Sequence, residues 1–64
     1  MPGLSKMKFY KDRDGEWRWQ LKASNGRIIA ASTEGYVRRT DAVNNARTVA
    51  NQAYSAYHRR IFET

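Results

Sequence analysis

The sequence contains no cysteine, which excludes disulfide bonds and thiolate zinc sites. It has one histidine, His58, and six acidic residues, so side chains that could hold a metal ion are few. We therefore expect no metal and no cofactor. A chain of 64 residues buries only about 60% of its unfolded surface and usually needs a disulfide, a metal or a partner chain for stability. A partner chain is the remaining option, which is a first indication of an oligomer.

Long apolar runs are also missing. No segment approaches the roughly 18 apolar residues of a membrane-spanning helix, and the first residues lack the apolar core of a signal peptide. These absences lead us to expect a soluble cytoplasmic protein without a membrane partner. We expect residues 1–5 to form a loose leader and residues 6–64 to form a single domain.

Acidic residues are outnumbered by basic ones. Twelve Lys and Arg residues against six Asp and Glu residues give a formal net charge of +6. Excess positive charge attracts anionic partners, although it does not identify them. The composition therefore favours nucleic acid or an acidic protein as a partner.

The segment WRWQLKA, residues 17–23, alternates apolar and polar side chains. A period of two indicates a half-buried strand with both tryptophans on one face. The Asn-Gly pair that follows is typical of a two-residue type I′ turn. Such a turn pairs Ala23 with Ile28 and places Ile28 and Ala30 on the tryptophan face. We therefore expect the next strand over residues 27–33.

An earlier strand, KMKFYK at residues 6–11, is joined to this one through the segment DRDG. A two- or four-residue loop would put Lys8 on the aromatic face. A three-residue loop pairs Phe9 with Trp19, which buries the apolar side chains and leaves the lysines in water. Gly15 suits the left-handed position of the bulge that accompanies such a loop. The pattern therefore predicts the three-residue loop.

A helical pattern follows a break at residues 34–36. Apolar residues recur at spacings of three and four from Ala42 onwards, which indicates an amphipathic helix with a stripe of small residues. Small residues let a helix approach a sheet that carries two tryptophans. No glycine or proline ends the pattern, so residues 57–62 are predicted either to continue the helix or to form a final strand. The predicted core consists of Met7, Phe9, Trp17, Trp19, Leu21, Ile28, Ala30, Val43, Ala46 and Ala50.

The motifs for catalysis and metal binding are weak. Asp12, Asp14 and Glu16 lie close together, but Gly15 falls too early for a calcium loop and the distal glutamate is missing. A solvated turn explains them better. His58 has no nucleophile or orienting carboxylate at a catalytic spacing. We therefore predict a protein that is not an enzyme and has no catalytic residues.

The sheet face opposite the tryptophans is predicted to be basic. Antiparallel sheets often leave one face in water, so a solvated face is the simpler interpretation. The functional interpretation is a platform for anions or nucleic acid. Trp17 and Trp19 could instead stack on bases, but they share a face with Phe9 and Met7, which favours core packing. The candidate anion contacts are Lys8, Tyr10, Arg18, Lys22, Arg38 and Arg39.

Residues 9–36, FYKDRDGEWRWQLKASNGRIIAASTEGY, resemble the YegP-like family of small domains of unknown function. The resemblance rests on the YKD start, the GEWRW strand, the KASNGRIIA hairpin and the EGY exit, in that order. It implies an α+β unit of order β-β-β-α-β, in which the apolar pattern places the helix on the tryptophan face. It also implies a homodimer with a shared sheet and exchanged C-terminal strands. We predict that Tyr57, Ile61 and Phe62 lie in this dimer interface.

Three functional hypotheses fit these features, the third of which is a purely structural role. The first is a non-enzymatic homodimeric binding module whose basic face takes an anionic partner, either nucleic acid or a nucleotide. The alternative is a protein-interaction module, such as a small inhibitor or adaptor, that docks on an acidic protein surface.

Overall fold

The computed structural model of the chain describes residues 4–63. Three antiparallel strands, β1 (Lys6–Lys11), β2 (Trp17–Lys22) and β3 (Ile28–Ala31), precede one helix, α1 (Arg39–His58). The strand order is β1-β2-β3, and α1 packs against β2 and β1. This is the predicted α+β class. Residues 61–63 form neither helix nor strand, so the final strand of the predicted β-β-β-α-β order is not formed within residues 4–63 of the single chain. Of the predicted leader, only Leu4 and Ser5 lie within the described residues.

Strands β1 and β2 pair in the predicted register, with Phe9 opposite Trp19. The loop closes through two backbone hydrogen bonds: Asp12 N–H donates to the Glu16 carbonyl at 2.8 Å and Gly15 N–H donates to the Asp12 carbonyl at 3.0 Å. Gly15 has a φ of 79°, as a three-residue loop with a bulge requires. The predicted three-residue loop and register are therefore confirmed. A slip of one residue would instead have placed Lys8 on the side of Trp19.

The second hairpin differs from the predicted type I′ turn. Its loop has three residues, 24–26, closed by hydrogen bonds from Ala23 N–H to the Arg27 carbonyl at 2.8 Å and from Gly26 N–H to the Ala23 carbonyl at 2.9 Å. Of the loop residues only Gly26 has a positive φ, at 88°, whereas a type I′ turn needs two such residues. Asn25 instead accepts a hydrogen bond from Arg27 N–H through its Oδ1 at 3.0 Å. The turn prediction is therefore wrong, and both hairpins use the same loop type.

The longer loop changes which residues of β3 face the helix. Ile28 lies opposite Lys22, and a bulge between Leu21 and Lys22 brings Ala30 back opposite Leu21. Directly opposed residues share a face of the sheet, so Ile28 lies on the side of Lys22. Its side chain is 54% exposed. The prediction that Ile28 belongs to the core is wrong, because one extra loop residue reverses its orientation.

The core lies between β2 and the first half of α1. Trp19, Ala42 and Ala46 are the buried hydrophobic residues of the described part, with 3%, 0% and 4% exposure. The other predicted core residues on this side are half-buried, namely Met7, Phe9, Trp17, Leu21, Ala30 and Val43. Ala50 is exposed, and its assignment to the core is wrong for the single chain because the second half of α1 extends past the sheet.

Helix α1 ends at His58 in a Schellman motif. Ile61 N–H donates to the Ala56 carbonyl at 2.9 Å, and Arg60 N–H donates to the Tyr57 carbonyl at 3.0 Å. Arg60 takes the left-handed position, with a φ of 56°. Glycine usually occupies this position, so the sequence carries no local signal for the helix end.

The link from β3 to α1 returns to the sheet beside the start of β2. Trp17 N–H donates to the Tyr36 carbonyl at 2.6 Å, and Tyr36 N–H donates to the Trp17 carbonyl at 2.8 Å. A Cβ placed on Gly35 would lie 2.7 Å from Glu16 Cβ, so the close approach requires a glycine. The GEW and EGY motifs of the family resemblance therefore meet across the sheet.

Candidate anion-binding face of the sheet

The sheet has two unlike faces. Helix α1 packs on the side of Trp19, and within residues 4–63 the other side has no covering helix. Because side chains alternate along a strand, one set of β1 and β2 residues shares this second side, which we call the open face. Four of its six members on these strands are basic and none is acidic. The open face consists of Lys6, Lys8, Tyr10, Arg18, Gln20 and Lys22.

Arg18 is engaged by the first turn. Its Nε donates to Asp12 Oδ2 at 2.5 Å, the single ion pair found within residues 4–63. Asp12 Oδ1 also accepts hydrogen bonds from the amides of Asp14 and Glu16 at 2.9 and 3.0 Å. The bond from Arg18, followed by the Glu16 amide, lowers the pKa of Asp12, and the same bond raises the pKa of Arg18. Asp12 is therefore the structural anchor of the turn.

Tyr10 lies opposite Arg18 on the open face. The Nζ of Lys8 lies 5.8 Å from the Tyr10 ring centroid, and Gln20 Nε2 is 3.4 Å from the Tyr10 hydroxyl oxygen, to which it donates. Lys8 remains exposed and Tyr10 is half-buried. A positive charge and an aromatic ring side by side form the kind of surface that contacts a phosphate and a base.

Two lysines of the open face stand directly opposite each other, because Lys6 pairs with Lys22. Neither forms an ion pair within residues 4–63. Like charges at directly opposed positions of an antiparallel pair destabilise the sheet. Lys6 is absent from the predicted anion contacts, although the same alternation that predicts Lys8 also places Lys6 on this face.

The predicted contacts Arg38 and Arg39 are not brought onto the open face. The Cζ of Arg39 lies 5.3 Å from the ring centroid of Phe9, on the side covered by the helix. Arg38 is the N-cap residue of α1, with extended backbone and without a side-chain capping hydrogen bond. The link from β3 delivers the helix to the tryptophan side, and this separates the arginine pair from Lys8 and Lys22.

The end of α1 carries an exposed apolar surface. The predicted interface residues Tyr57, Ile61 and Phe62 are 72%, 66% and 62% exposed. The rings of Tyr57 and Phe62 meet edge to face at 6.1 Å, and Tyr54 stacks on His58 at 5.2 Å. We call the surface formed by these residues the aromatic end of the chain; it consists of Tyr54, Tyr57, His58, Ile61 and Phe62. It is the main apolar surface that the single chain leaves in water at its C-terminal side.

Asn45 is a contact that the apolar pattern does not predict. Its Oδ1 accepts a hydrogen bond from Trp19 Nε1 at 2.7 Å. A buried indole N–H normally finds a partner, and Asn45 lies three residues after Ala42 and one before Ala46 on the sheet-facing stripe. A polar residue on that stripe is the available signal. The bond fixes Trp19 in the core, which removes this ring from the candidate base-stacking surfaces.

The described part of the chain offers neither a metal site nor a membrane-spanning helix. Within residues 4–63 there is no cluster of three or more His, Asp or Glu side chains arranged to hold a metal ion. Helix α1 lacks the apolar length needed to cross a membrane. The open face and the aromatic end are therefore the surfaces from which a function can be argued.

Known proteins related to this chain share its central segment. A family model described as "Domain of unknown function (DUF1508)" matches residues 12–58. A UPF0339 protein of Methanosarcina acetivorans is 36% identical over 53 residues, which cover 83% of this chain and 90% of that protein. The UPF0339 protein "in ptx operon 5'region" of Stutzerimonas stutzeri is 43% identical over 44 residues, 69% of this chain. A UPF0339 protein of Neisseria meningitidis serogroup B is 63% identical over 27 residues, 42% of this chain.

The matched segment spans only 39% of the Stutzerimonas protein and 46% of the Neisseria protein. No solved structure matches the chain. The family description and the names of the relatives record no function and indicate no enzyme family. The family match confirms the resemblance seen in residues 9–36, since it covers the first turn, β2, β3, the EGY exit and α1. The chain belongs to the DUF1508 family of domains of unknown function, to which the YegP-like resemblance pointed.

Proposed function

We propose that this chain is a non-enzymatic binding module whose open face takes an anionic partner, and that the partner is nucleic acid. The observation that carries the proposal is the segregation of Lys6, Lys8, Arg18 and Lys22 on the side of the sheet opposite the helix. Of these four only Arg18 has an acidic partner within residues 4–63. Three ammonium groups are therefore free to contact a ligand.

The spacing of these charges suits a phosphate backbone. Residues two apart on a strand lie about 6.5–7 Å apart, and neighbouring strands lie about 4.8 Å apart. Successive ammonium groups can therefore reach successive phosphates of a flexible strand, while Tyr10 offers one ring for a base. Contacts of this kind read the backbone and not the base edges. Binding should accordingly tolerate different sequences and weaken steeply with salt.

Titration of labelled single- and double-stranded oligonucleotides at two salt concentrations tests the proposal. The wild-type chain should bind at low salt. The variant Lys6→Gln/Lys8→Gln/Lys22→Gln, which leaves the Arg18–Asp12 ion pair in place, should bind more weakly, with a salt dependence shallower by about 2–3 in log–log slope if each lysine contacts a phosphate.

A matched control removes the same number of charges away from the open face. Lys11→Gln lies on β1 but on the tryptophan side, Arg13→Gln lies in the first loop, and Arg47→Gln lies on an exposed part of α1. This triple variant should retain the wild-type salt slope. An equal loss of oligonucleotide affinity in both triple variants would show that net charge alone drives binding. It would contradict the proposal that the open face is the binding site.

Absence of binding by the wild-type chain at low salt would also defeat the proposal. The alternative, docking on an acidic protein, would then be favoured. A pull-down that captures an acidic protein after nuclease treatment, and loses it in the Lys6→Gln/Lys8→Gln/Lys22→Gln variant, would support that alternative. Both partners would be met in the cytoplasm, the location that the sequence predicts.

We further propose that the module is a homodimer joined through the aromatic end. Tyr57, Ile61 and Phe62 are apolar and exposed, and both β1 and β3 are edge strands of the described sheet. The match covers only 39% of the Stutzerimonas relative, so that protein has room for a second unit of this size. In the proposed dimer, residues 57–62 of one chain pack on the other, and the segment after α1 adds to an open sheet edge by strand exchange.

Sedimentation at micromolar concentration and the concentration dependence of Tm test the dimer. Ile61→Ser/Phe62→Ser should dissociate it and lower Tm. The control Leu4→Ser/Val37→Ser removes two apolar residues that are 84% and 81% exposed elsewhere on the chain and should leave the dimer intact. A well-folded wild-type monomer would contradict the proposal.

A further inference from the structure

A cleft lies at one end of the open face, between the start of β1 and the β2–β3 turn. Its volume is about 510 Å³, and its lining includes Leu4, Lys6, Lys8, Lys22, Ser24 and Gly26. Sites for small molecules usually have volumes of about 300–1,000 Å³. The cleft therefore has room for a small organic anion, and three of its lining residues are lysines.

No acidic residue lines this cleft, and neither Lys6 nor Lys22 forms an ion pair within residues 4–63. Lys6 and Lys22 are directly opposed, with Cβ atoms expected about 4.5–5.5 Å apart. The acidic residues of the first turn lie at the other end of the hairpin, beyond the Lys11–Trp17 pair. The repulsion between Lys6 and Lys22 is therefore not relieved within residues 4–63. An anion held between the two ammonium groups would turn this repulsion into attraction.

Lys8, the third lysine of the lining, lies between the cleft and Tyr10 on the open face. The Nζ of Lys8 lies over the Tyr10 ring, 5.8 Å from its centroid, so Lys6 and Lys22 are the closer pair for a ligand in the cleft. The turn residues Ser24 and Gly26 bound the cleft on one side. A nucleic-acid strand that follows the open face over Tyr10 and Lys8 would reach the turn residues Ser24 and Gly26 with its terminal phosphate or hydroxyl group.

We infer that Lys6 and Lys22 hold a phosphate monoester, supplied either by a free nucleotide or by the phosphorylated end of a nucleic-acid strand. A monoester carries a charge of about −1.5 to −2 at neutral pH, more than one diester of a chain, so it gains most from two ammonium groups. The inference rests on the proposed anion-binding function and names the part of the ligand that this end of the face recognises. It also explains why an unfavourable lysine pair is present in the sheet.

Substitution of Lys6 distinguishes a phosphate site at Lys6 and Lys22 from a solvated lysine pair that holds no ligand. Lys6→Glu places opposite charges across the strands, so the ligand-free variant should have a higher Tm than the wild type. Adenosine monophosphate at constant ionic strength should raise the Tm of the wild type, and adenosine should not. The Tm of Lys6→Glu should not respond to either compound. Lys11→Glu, on the same strand but the other face, should retain the response of the wild type.

The two sources of the phosphate are distinguished with oligonucleotides. If a strand end is the ligand, a 5′-phosphorylated strand should bind about tenfold more tightly than the same strand with a 5′-hydroxyl. Lys6→Gln should abolish this difference while the hydroxyl strand still binds in a salt-dependent manner. If adenosine monophosphate raises Tm but the 5′-phosphate of a strand does not increase its affinity, the ligand is a free nucleotide.

The outcomes also separate this inference from the proposed function. If the hydroxyl strand binds through the open face but neither the 5′-phosphate nor adenosine monophosphate has an effect, the cleft inference fails and the proposed function stands. If adenosine monophosphate stabilises the wild type but not Lys6→Glu, while oligonucleotides do not bind, the cleft stands and nucleic-acid binding fails. A response to adenosine monophosphate that survives in Lys6→Glu would overturn the assignment to Lys6.

Discussion

The two halves of α1 have different surroundings. In the first half, Ala42 and Ala46 are 0% and 4% exposed, whereas in the second half Val49, Tyr54 and Tyr57 are 41%, 68% and 72% exposed. A helix of 20 residues is about 30 Å long. The sheet is shorter in both directions, since strands of six residues are about 20 Å long and three strands are about 15 Å wide. One small sheet cannot cover such a helix. The apolar pattern of α1 therefore predicts which side chains are apolar on one face of the helix, but not how much of that face the sheet covers.

Larger side chains in the two halves should have unequal effects on stability. Ala46→Leu overfills the contact with the sheet and should lower the free energy of unfolding by about 1–3 kcal/mol. The matched variant Ala53→Leu lies on the exposed half and should change it by less than about 0.5 kcal/mol. Urea unfolding measures both. A comparable cost for Ala53→Leu would contradict the exposure of this part of α1 and would extend the proposed dimer contact beyond residues 57–62.

The packed half also depends on the two hairpin turns. Gly15→Val should lower the free energy of unfolding by more than about 1 kcal/mol, because β-branched residues are disfavoured at positive φ. Gly26→Val should have a similar cost, since its φ is also positive. A Cβ at either position would meet no atom within 4 Å, so the cost arises in the backbone. Neutral substitutions would contradict the left-handed turn geometry.

The exposed half ends in a strained residue. Arg60→Gly should stabilise the helix end by about 0.5–1 kcal/mol, because glycine adopts the left-handed conformation without steric cost. Arg59→Gly is the matched control: Arg59 has an ordinary helical φ of −86°, and its replacement should destabilise the helix end. Circular dichroism during thermal unfolding measures both. Equal effects of the two variants would show that the helix does not end where the Schellman motif places it.

The smallest expected effect concerns pH and the first turn. The pKa of Asp12 is lowered, mainly by the hydrogen bond from Arg18. Its contribution to stability is therefore present above the ordinary carboxyl pKa and is lost as the pH falls through the lowered value. Asp12→Asn should weaken the fall of Tm at acidic pH, measured from about pH 2 to 7. Asp14→Asn removes an equal charge from the same turn but no ion pair, and an identical effect would contradict the role of Asp12.

Strand alternation predicted the part of the fold that depends on neighbouring residues. It gave the register of β1 with β2, because only one loop length buries Phe9 with Trp19. It could not give the second hairpin, because an Asn-Gly pair fits both a two-residue turn and the end of a three-residue loop. The structure uses the longer loop with a bulge, and this moves Ile28 to the open face.

The candidate site was predicted in the same partial way. Alternation placed Lys8, Arg18 and Lys22 on one face, as the pairing confirms. It could not show that Arg18 is held by Asp12, because that contact depends on the conformation of the turn. It also could not separate Arg39 from the open face, since that separation depends on where the link delivers the helix.

By itself the sequence determined the two faces of the sheet, the existence of the helix and the concentration of positive charge on one sheet face. These features follow from periods of two and 3.6 residues, which are local properties of the chain. Trp17 and Trp19 are equivalent in that pattern. Only the tertiary structure distinguished them: Trp19 is 3% exposed and bonded to Asn45, while Trp17 is half-buried near Lys11. The position of α1 against β2 and β1 decides which tryptophan is covered and which apolar residues of the helix remain exposed. That position is set by a link whose backbone pairing with Trp17 no local pattern encodes.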